Sequence, residues 1–285
     1  MSEPILTTEL DYPLLHRGKV RDIYDLNENL LIISSDRISA FDVVFNEGIP
    51  RKGETLNQLA LYWFEKTKHL IKNHIQTFYP ELPEEIKVRA MVGLKTSPVK
   101  LECVVRGYLT GSGWKSYKEN QTVCEIQLPD GLKNGSKLPE PIFTPTTKAE
   151  KGHDLPLTES EAKDLVGEEK FNFLKSKSIE LYKFAEQEVW NKGLVLADTK
   201  FEFGELGSEI ILIDEIFTPD SSRYWLKEEY EKGNLVSLDK QFLRDYLETL
   251  DWNKQPPAPN LPKEIIEKTQ ERYLQAYKMI TGKEL

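Results

Sequence analysis

Cysteine is scarce in this 285-residue chain: only Cys103 and Cys124 occur, with no CxxC pair. Together with the lack of a leading apolar segment for export, that scarcity points to a reducing interior and so to the cytoplasm. No apolar run approaches the ~20 residues that a membrane helix needs, which excludes a spanning role. Basic surplus is missing too: a net charge of −9 argues against a surface built for nucleic acid, so any anionic ligand must be held by local basic clusters. Histidine is limited to four residues, and His69 and His74 are five apart, so no metal spacing arises and zinc is not expected. Neither a Walker loop nor a Rossmann glycine fingerprint appears.

What remains is ordinary globular composition, 39% hydrophobic and 30% charged, long enough for one large core or two smaller ones. The first third reads as β-rich. "KVRDIYDLNENLLIISS" predicts a hairpin turning at Asn27 to Asn29, with Leu30 to Ile33 as a buried return strand. After Gly53 and Thr55, the spacing of Leu56, Leu59, Ala60, Trp63, Phe64, Leu70 and Ile71 predicts a helix with one apolar face. "LECVVRGYL" returns to strand character and enters "TGSGW", a glycine-broken turn. The proline- and glycine-rich stretch from Pro129 to Pro156 reads as a long loop, of the kind that often serves as a mobile lid.

Thr158 and Glu161 form a capping-box pattern, and helical periodicity runs through Phe171, Leu174, Leu181, Tyr182, Ala185, Val189 and Trp190 until Gly193. "LVLADTKFEFGELGSEIILIDEIF" predicts a hairpin turning near Gly207. A capped helix begins around Asp239, "QPPAPNLP" is a stiff connector, and a closing amphipathic helix turns Ile265, Ile266, Tyr273, Ala276 and Ile280 toward the body. The expected fold is α+β, with a smaller N-terminal β-rich part over residues 1–105, a larger α+β part over 106–250, and a connector and helix over 251–285.

Three clusters carry candidate chemistry. In "LADTKFEFG", strand alternation puts Asp198, Lys200 and Glu202 on one face and Ala197, Phe201 and Phe203 on the other. Asp214, on the return strand "IILIDEIF", sits among apolar residues where a charge is costly unless paired or bound to a cation. A hairpin brings it beside Glu202, and two facing carboxylates suit Mg²⁺ with nucleotide phosphates; an internal salt bridge with Lys200 is an equally open reading. In "RGKVRDIYDL", Lys19 and Arg21 share a strand face behind Gly18, which suits a polyphosphate or, alternatively, a solvated edge strand with basic gatekeepers.

The third cluster is basic: Arg106 before "GYLTGSGW", Arg223 in "TPDSSRYW", and Lys240 with Arg244, four apart on one helix face. Ser112, Ser221 and Ser222 add hydroxyl donors, a composition suited to a phosphate ester or carboxylate, though each arginine taken alone is more often a surface ion-pair partner. "SSDRISAFD" reads as a ligand loop or as a plain strand exit with Asp36 and Asp42 in its turn. "TPTTKAEKGHD" places Lys148, His153 and Asp154 in the proline-rich stretch.

Taken in order, "RGKVRDIYDL", "SDRISAFDVVF", "GIPRKGETLNQLALYWF", "ECVVRGYLTGSGWKSY", "TPTTKAEKGHD", "LADTKFEFG", "IDEIFTPDSSRYW" and "LDKQFLRDYL" closely resemble the phosphoribosylaminoimidazole-succinocarboxamide synthase (SAICAR synthetase) family over about residues 16 to 250. The resemblance implies an ADP-forming carboxylate-amine ligase that joins carboxyaminoimidazole ribonucleotide (CAIR) to L-aspartate, with ATP and Mg²⁺ as cofactors and a kinase-like nucleotide lobe. It implies that Gly18, Lys19 and Arg21 meet ATP phosphates, that Leu101 and Glu102 offer adenine backbone bonds at a hinge, and that Glu202 and Asp214 hold Mg²⁺. Lys200, Arg106, Ser112, Arg223, Arg244 and Lys240 are similar to CAIR contacts, with Lys200 at the reacting centre. Asp154 and His153 fall in the family's mobile loop, and Ser39 and Asp42 border the aspartate and CAIR region. A kinase-like phosphotransferase and a non-catalytic nucleotide-binding module are the alternatives; the absence of HRD and DFG motifs weakens the first.

Overall fold

Residues 3–148 and 154–285 are described by the structure, a computed structural model. The predicted hairpin forms the middle of a four-stranded sheet, in the order Leu14–Arg17, Arg21–Leu26, Asn29–Ser34 and Ala90–Leu94, with all neighbours antiparallel. Asn27, at φ 62, makes the turn, a left-handed conformation that its short polar side chain tolerates. Leu31, Ile32 and Ile33 are buried, as the apolar return strand requires. Lys19 departs from expectation: it lies in the bend between the first two strands, so it does not share a strand face with Arg21.

The first helix, Lys52–Thr67, buries Leu56, Leu59, Ala60, Trp63 and Phe64. It stops at Thr67, and Leu70 and Ile71 lie beyond it; the amide of Leu70 closes a turn onto the Thr67 carbonyl at 2.9 Å.

A larger sheet is organised by one strand, Leu194–Leu206, which pairs with Leu101–Tyr108, Glu209–Ile213, Ser222–Leu226 and Ser97–Pro98, all antiparallel. The helix Glu168–Trp190 covers one face, burying Phe171, Leu174, Leu181, Tyr182, Ala185 and Val189 in one core with Leu196, Phe201 and Phe203. Burying such a side chain is worth about 1.5–3 kcal/mol, which fixes that face inward. The single helix read from periodicity is two: Glu159–Val166 starts on the predicted Thr158/Glu161 capping box, and Gly167, at φ 86, separates it from the longer one.

Two further expectations change. The alternation along "LADTKFEFG" is broken by a register irregularity between Leu196 and Asp198. It shifts the phase, so Ala197 packs with Val195, Tyr108 and Trp225 rather than with Phe201 and Phe203. The proline-rich stretch holds strands Lys137–Phe143 and Thr146–Thr147. Lys137–Phe143 ends the sheet order and pairs irregularly between Lys137 and Ile142, so Pro139 and Pro141 cost little by lacking an amide hydrogen.

The closing helix, Lys263–Thr281, buries Tyr273, Ala276 and Ile280 and packs against both the first helix and Gln241–Glu248. The strand Leu101–Tyr108, where the sequence sets its first boundary, has its partner strands in the larger sheet. Helices and antiparallel sheets together make a mixed α+β fold. No helix among the described residues is long and apolar enough to cross a membrane.

Candidate active site

Strand geometry brings the basic residues together. Asp198 lies opposite Arg106 on the neighbouring strand and opposite Arg223 on the other side. Its Oδ2 accepts from Arg106 Nη1 at 3.0 Å and also from Arg223 Nη1. Arg106 further donates to Ser112 Oγ at 3.1 Å and to Thr144 Oγ1 at 3.0 Å. The Arg223 Nε is buried without a hydrogen-bond partner among the described residues. An orphaned donor of this kind is costly, and an incoming anion relieves it.

"TGSGW" is not a break but the first turn of helix Gly111–Asn120. Its glycines make room for cations. A Cβ at Gly111, where φ is +57, lies 2.4 Å from Arg223 Nη2, and one at Gly113 lies 3.3 Å from Arg106 Cδ. The helix therefore starts against two guanidinium groups.

Arg106, Ser112, Asp198, Lys200, Arg223, Asp239 and Arg244 line a cavity of about 200 Å³. Ser112, Arg223 and Arg244 also line a wider neighbour of about 530 Å³, together with Lys19, Ser39, Asp42 and Lys240. Asp42 sits in the turn of the short hairpin Arg37–Ala40/Val43–Gly48 and pairs with Lys19. Arg244 and Lys240 are one helical turn apart, but the Lys240 ammonium is turned to Asp220, 2.9 Å away, instead of standing free beside Arg244.

At the other end of the cleft, Lys200 Nζ donates to Glu202 Oε1 at 2.9 Å and to Glu102 Oε1 at 2.6 Å. Lys148 pairs with the second oxygen of Glu202. Asp214 follows directly on the strand Glu209–Ile213, whose Ile213 is the register partner of Glu202, and Arg21 pairs with both Asp214 and Glu215. Both open readings of these acids are thus present at once: they are salt-bridged, and they are neighbours.

Their protonation follows from that arrangement. Burial pushes the Asp214 carboxyl up to about 6 against the pull of Arg21, and Glu202 and Glu215 add to the rise. Burial acts likewise on Glu202, but Lys200 and Lys148 outweigh it and bring the carboxyl down to about 2. Among the described residues no group of three His, Cys, Asp or Glu side chains is gathered for a metal. Two half-buried carboxylate groups from one hairpin fit Mg²⁺, which takes one or two protein carboxylates and fills its octahedron with phosphate oxygens and water.

Leu101 is fully buried, and Leu101 and Glu102 pair in register with Thr147 and Thr146. Asp154 lines a third cavity, of about 340 Å³, beside Arg106, Ser112, Ser116, Thr144 and Thr146. His153 lies outside the described residues. Gly18 holds the bend before the second strand, its amide donating to the Arg21 carbonyl at 2.8 Å.

Sequence reasoning gave no role to Asp198, Glu215 or Asp220. For Asp198 a signal existed, since it shares the alternation of Lys200 and Glu202. For Asp220 none did: its partners Lys52, Lys240 and Tyr273 are scattered along the chain.

Set against known proteins, residues 14–259 match the family model of SAICAR synthetase. The phosphoribosylaminoimidazole-succinocarboxamide synthase of Geotalea uraniireducens is 50% identical over 294 residues, covering 99% of each chain. That of Thermodesulfovibrio yellowstonii is 48% identical, covering 99% of this chain and 100% of its own. Among solved structures, the SAICAR synthase from Saccharomyces cerevisiae complexed with SAICAR is 38% identical, with a TM-score of 0.88 over 99% of both chains. With a family model spanning most of its length and relatives about half identical end to end, this chain belongs to the SAICAR synthetase family.

Proposed function

We propose that this chain makes SAICAR in the cleft described above, with the nucleotide substrate's phosphate at Arg106, Ser112, Arg223 and Arg244, and ATP at the end marked by Arg21, Glu202 and Asp214; Lys19, which lines the Arg244 cavity, is proposed to reach the ATP phosphates from that side. The ligase activity itself, an ATP-dependent step of purine biosynthesis, is that of the family. The observation that carries the residue assignment is a pair of adjoining cavities lined by clustered guanidinium groups and Lys200, with Lys200 reaching on to the Glu202 carboxylate and Asp214 lying beside it.

A carboxylate is a poor electrophile. ATP therefore activates it: a CAIR carboxylate oxygen attacks the γ-phosphorus, ADP departs, and the aspartate amine then attacks the acyl carbon, losing a proton as phosphate leaves. Glu202 and Asp214 would hold Mg²⁺, which supplies charge neutralisation at the β- and γ-phosphates. Lys200, fixed between Glu102 and Glu202, is placed to meet negative charge on the transferring phosphoryl group or the CAIR carboxylate. Asp154, Ser39 and Asp42 border the same cavities and are proposed for the aspartate side.

In this reading residues 1–105 supply a kinase-like nucleotide lobe and 106–250 the substrate side, with Leu101 and Glu102 at the hinge offering adenine bonds. Residues 251–285 brace both, since the closing helix packs on the first helix and on Gln241–Glu248. Work in the cytoplasm suits a purine enzyme. The test is direct: purified protein with ATP, Mg²⁺, CAIR and aspartate forms ADP only when both co-substrates are present. Aspartate-independent transfer to a hydroxyl would mark a phosphotransferase, and binding without turnover a non-catalytic module.

A further inference from the structure

Behind the wide cavity lies a charge arrangement that the reaction roles above leave unused. Asp220, in the turn before strand Ser222–Leu226, has a buried side chain, and its Oδ2 lies 2.9 Å from both Lys52 Nζ and Lys240 Nζ. Its Oδ1 accepts from the Tyr273 hydroxyl of the closing helix at 2.6 Å. Lys52, in the first turn of the first helix, is fully buried, and its ammonium stands 6.0 Å from the centroid of the Tyr273 ring. Burial works to raise the Asp220 carboxyl, but Lys240 and Lys52 outweigh it and hold it well below the ordinary carboxylate range.

Two ammonium groups therefore share one carboxylate. The Lys52 ammonium is out of reach of water, where an unbalanced charge is costly. Of the neighbouring acids, Asp198 holds Arg106 and Arg223, and Asp239 accepts from the Tyr224 and Gln241 amides at 3.0 and 2.7 Å and is charged above pH about 6, where it offsets Arg223 and Arg244. Arg244 and Arg272 add positive charge nearby, Arg272 being occupied with the Ser237 carbonyl and the Phe242 ring, while Glu248 lines the same cavity as Lys240 and Arg244. Lys240 and Asp220 both reach cavity walls beside Arg244, so compensating negative charge arrives from the cleft.

We propose that Lys52, Asp220 and Lys240 form a buried electrostatic floor, held by Tyr273, that makes the Arg244 pocket prefer a doubly charged phosphate monoester over a singly charged anion. Lys52 and Tyr273 touch no ligand and are positioning residues. This rests on the reading of Arg244 as the phosphate end. A unit charge within ~10 Å of a dianion, at an effective dielectric of ~20, shifts affinity by at least about tenfold.

The test uses the full chain and calorimetric titration with CAIR. Lys52→Met leaves Asp220 and Lys240 as a balanced pair, so the fold is expected to hold. The Kd for CAIR should rise about tenfold while kcat at saturation stays within threefold. Because a phosphate ester passes from two charges toward one below pH ~6, the ratio of variant to wild-type Kd should shrink at least twofold from pH 7.5 to pH 5. Tyr273→Phe, which keeps the ring, should raise the Kd about threefold and carries the test alone if Lys52→Met does not fold. A Kd within twofold of wild type, or an effect that is unchanged between the two pH values, overturns the floor. Arg244→Ala run in parallel separates the failures: weakened binding there with an unaffected Lys52→Met refutes the floor alone, whereas unaffected binding in Arg244→Ala removes the phosphate reading and the floor with it.

Discussion

Asp198 and Arg106 face each other across neighbouring strands, with Asp198 Oδ2 3.0 Å from Arg106 Nη1, and the same oxygen also holds Arg223. One buried carboxylate thus aligns two cations from two strands. Asp198→Ala leaves both guanidinium groups without their buried counter-ion, and the expected cost is about 3–5 kcal/mol of stability. Urea unfolding of the two proteins checks this; a loss under 1 kcal/mol would show that water or Ser112 and Thr144 replace the carboxylate.

Arg244 should matter for the reaction more than for the fold. If it holds a desolvated phosphate, Arg244→Ala costs about 2–5 kcal/mol of binding, which is roughly thirty- to several-thousand-fold in kcat/KM. Steady-state kinetics with CAIR as the varied substrate measures it. A change under threefold removes Arg244 from the site.

Much of this arrangement is legible in the sequence because local rules dominate it. The Asn27 turn, the face formed by Leu56 to Phe64, the Thr158 capping box, the hairpin about Gly207 and the closing helix all follow from spacing and turn chemistry. What escapes are events set by tertiary partners. The register shift at Leu196 to Asp198 arises from pairing with Ser222–Leu226, and "TGSGW" becomes a helix start because two guanidinium groups need the space that side chains would fill. The pairing of Arg21 with Asp214 joins residues 193 positions apart, and the Lys52, Asp220 and Lys240 cluster has no local signature at all.

Asp239 gives the fold a pH dependence with a definite sign. Burial pushes its carboxyl from 3.8 up to about 6, against the pull of Arg223. Between those values the folded chain holds a proton that the unfolded chain has released, so this group makes stability fall as pH rises through the window and level off above it. About two units correspond to about 3 kcal/mol. Asp239→Asn carries no charge at any pH, and relative to wild type it should gain about that amount between pH 4 and pH 7 in urea unfolding. Parallel stability profiles would contradict the assignment.

The account depends most on Glu202 and Asp214 acting together on one divalent ion beside the triphosphate. Mn²⁺ binding followed by electron paramagnetic resonance in the presence of ATP, for wild type, Glu202→Gln, Asp214→Asn and the double variant, tests it directly. The account predicts that each single change weakens Mn²⁺ by at least about tenfold and that the double variant is little worse than either, because removing one member of a shared site already disables it. Metal affinity unchanged in both single variants would contradict it.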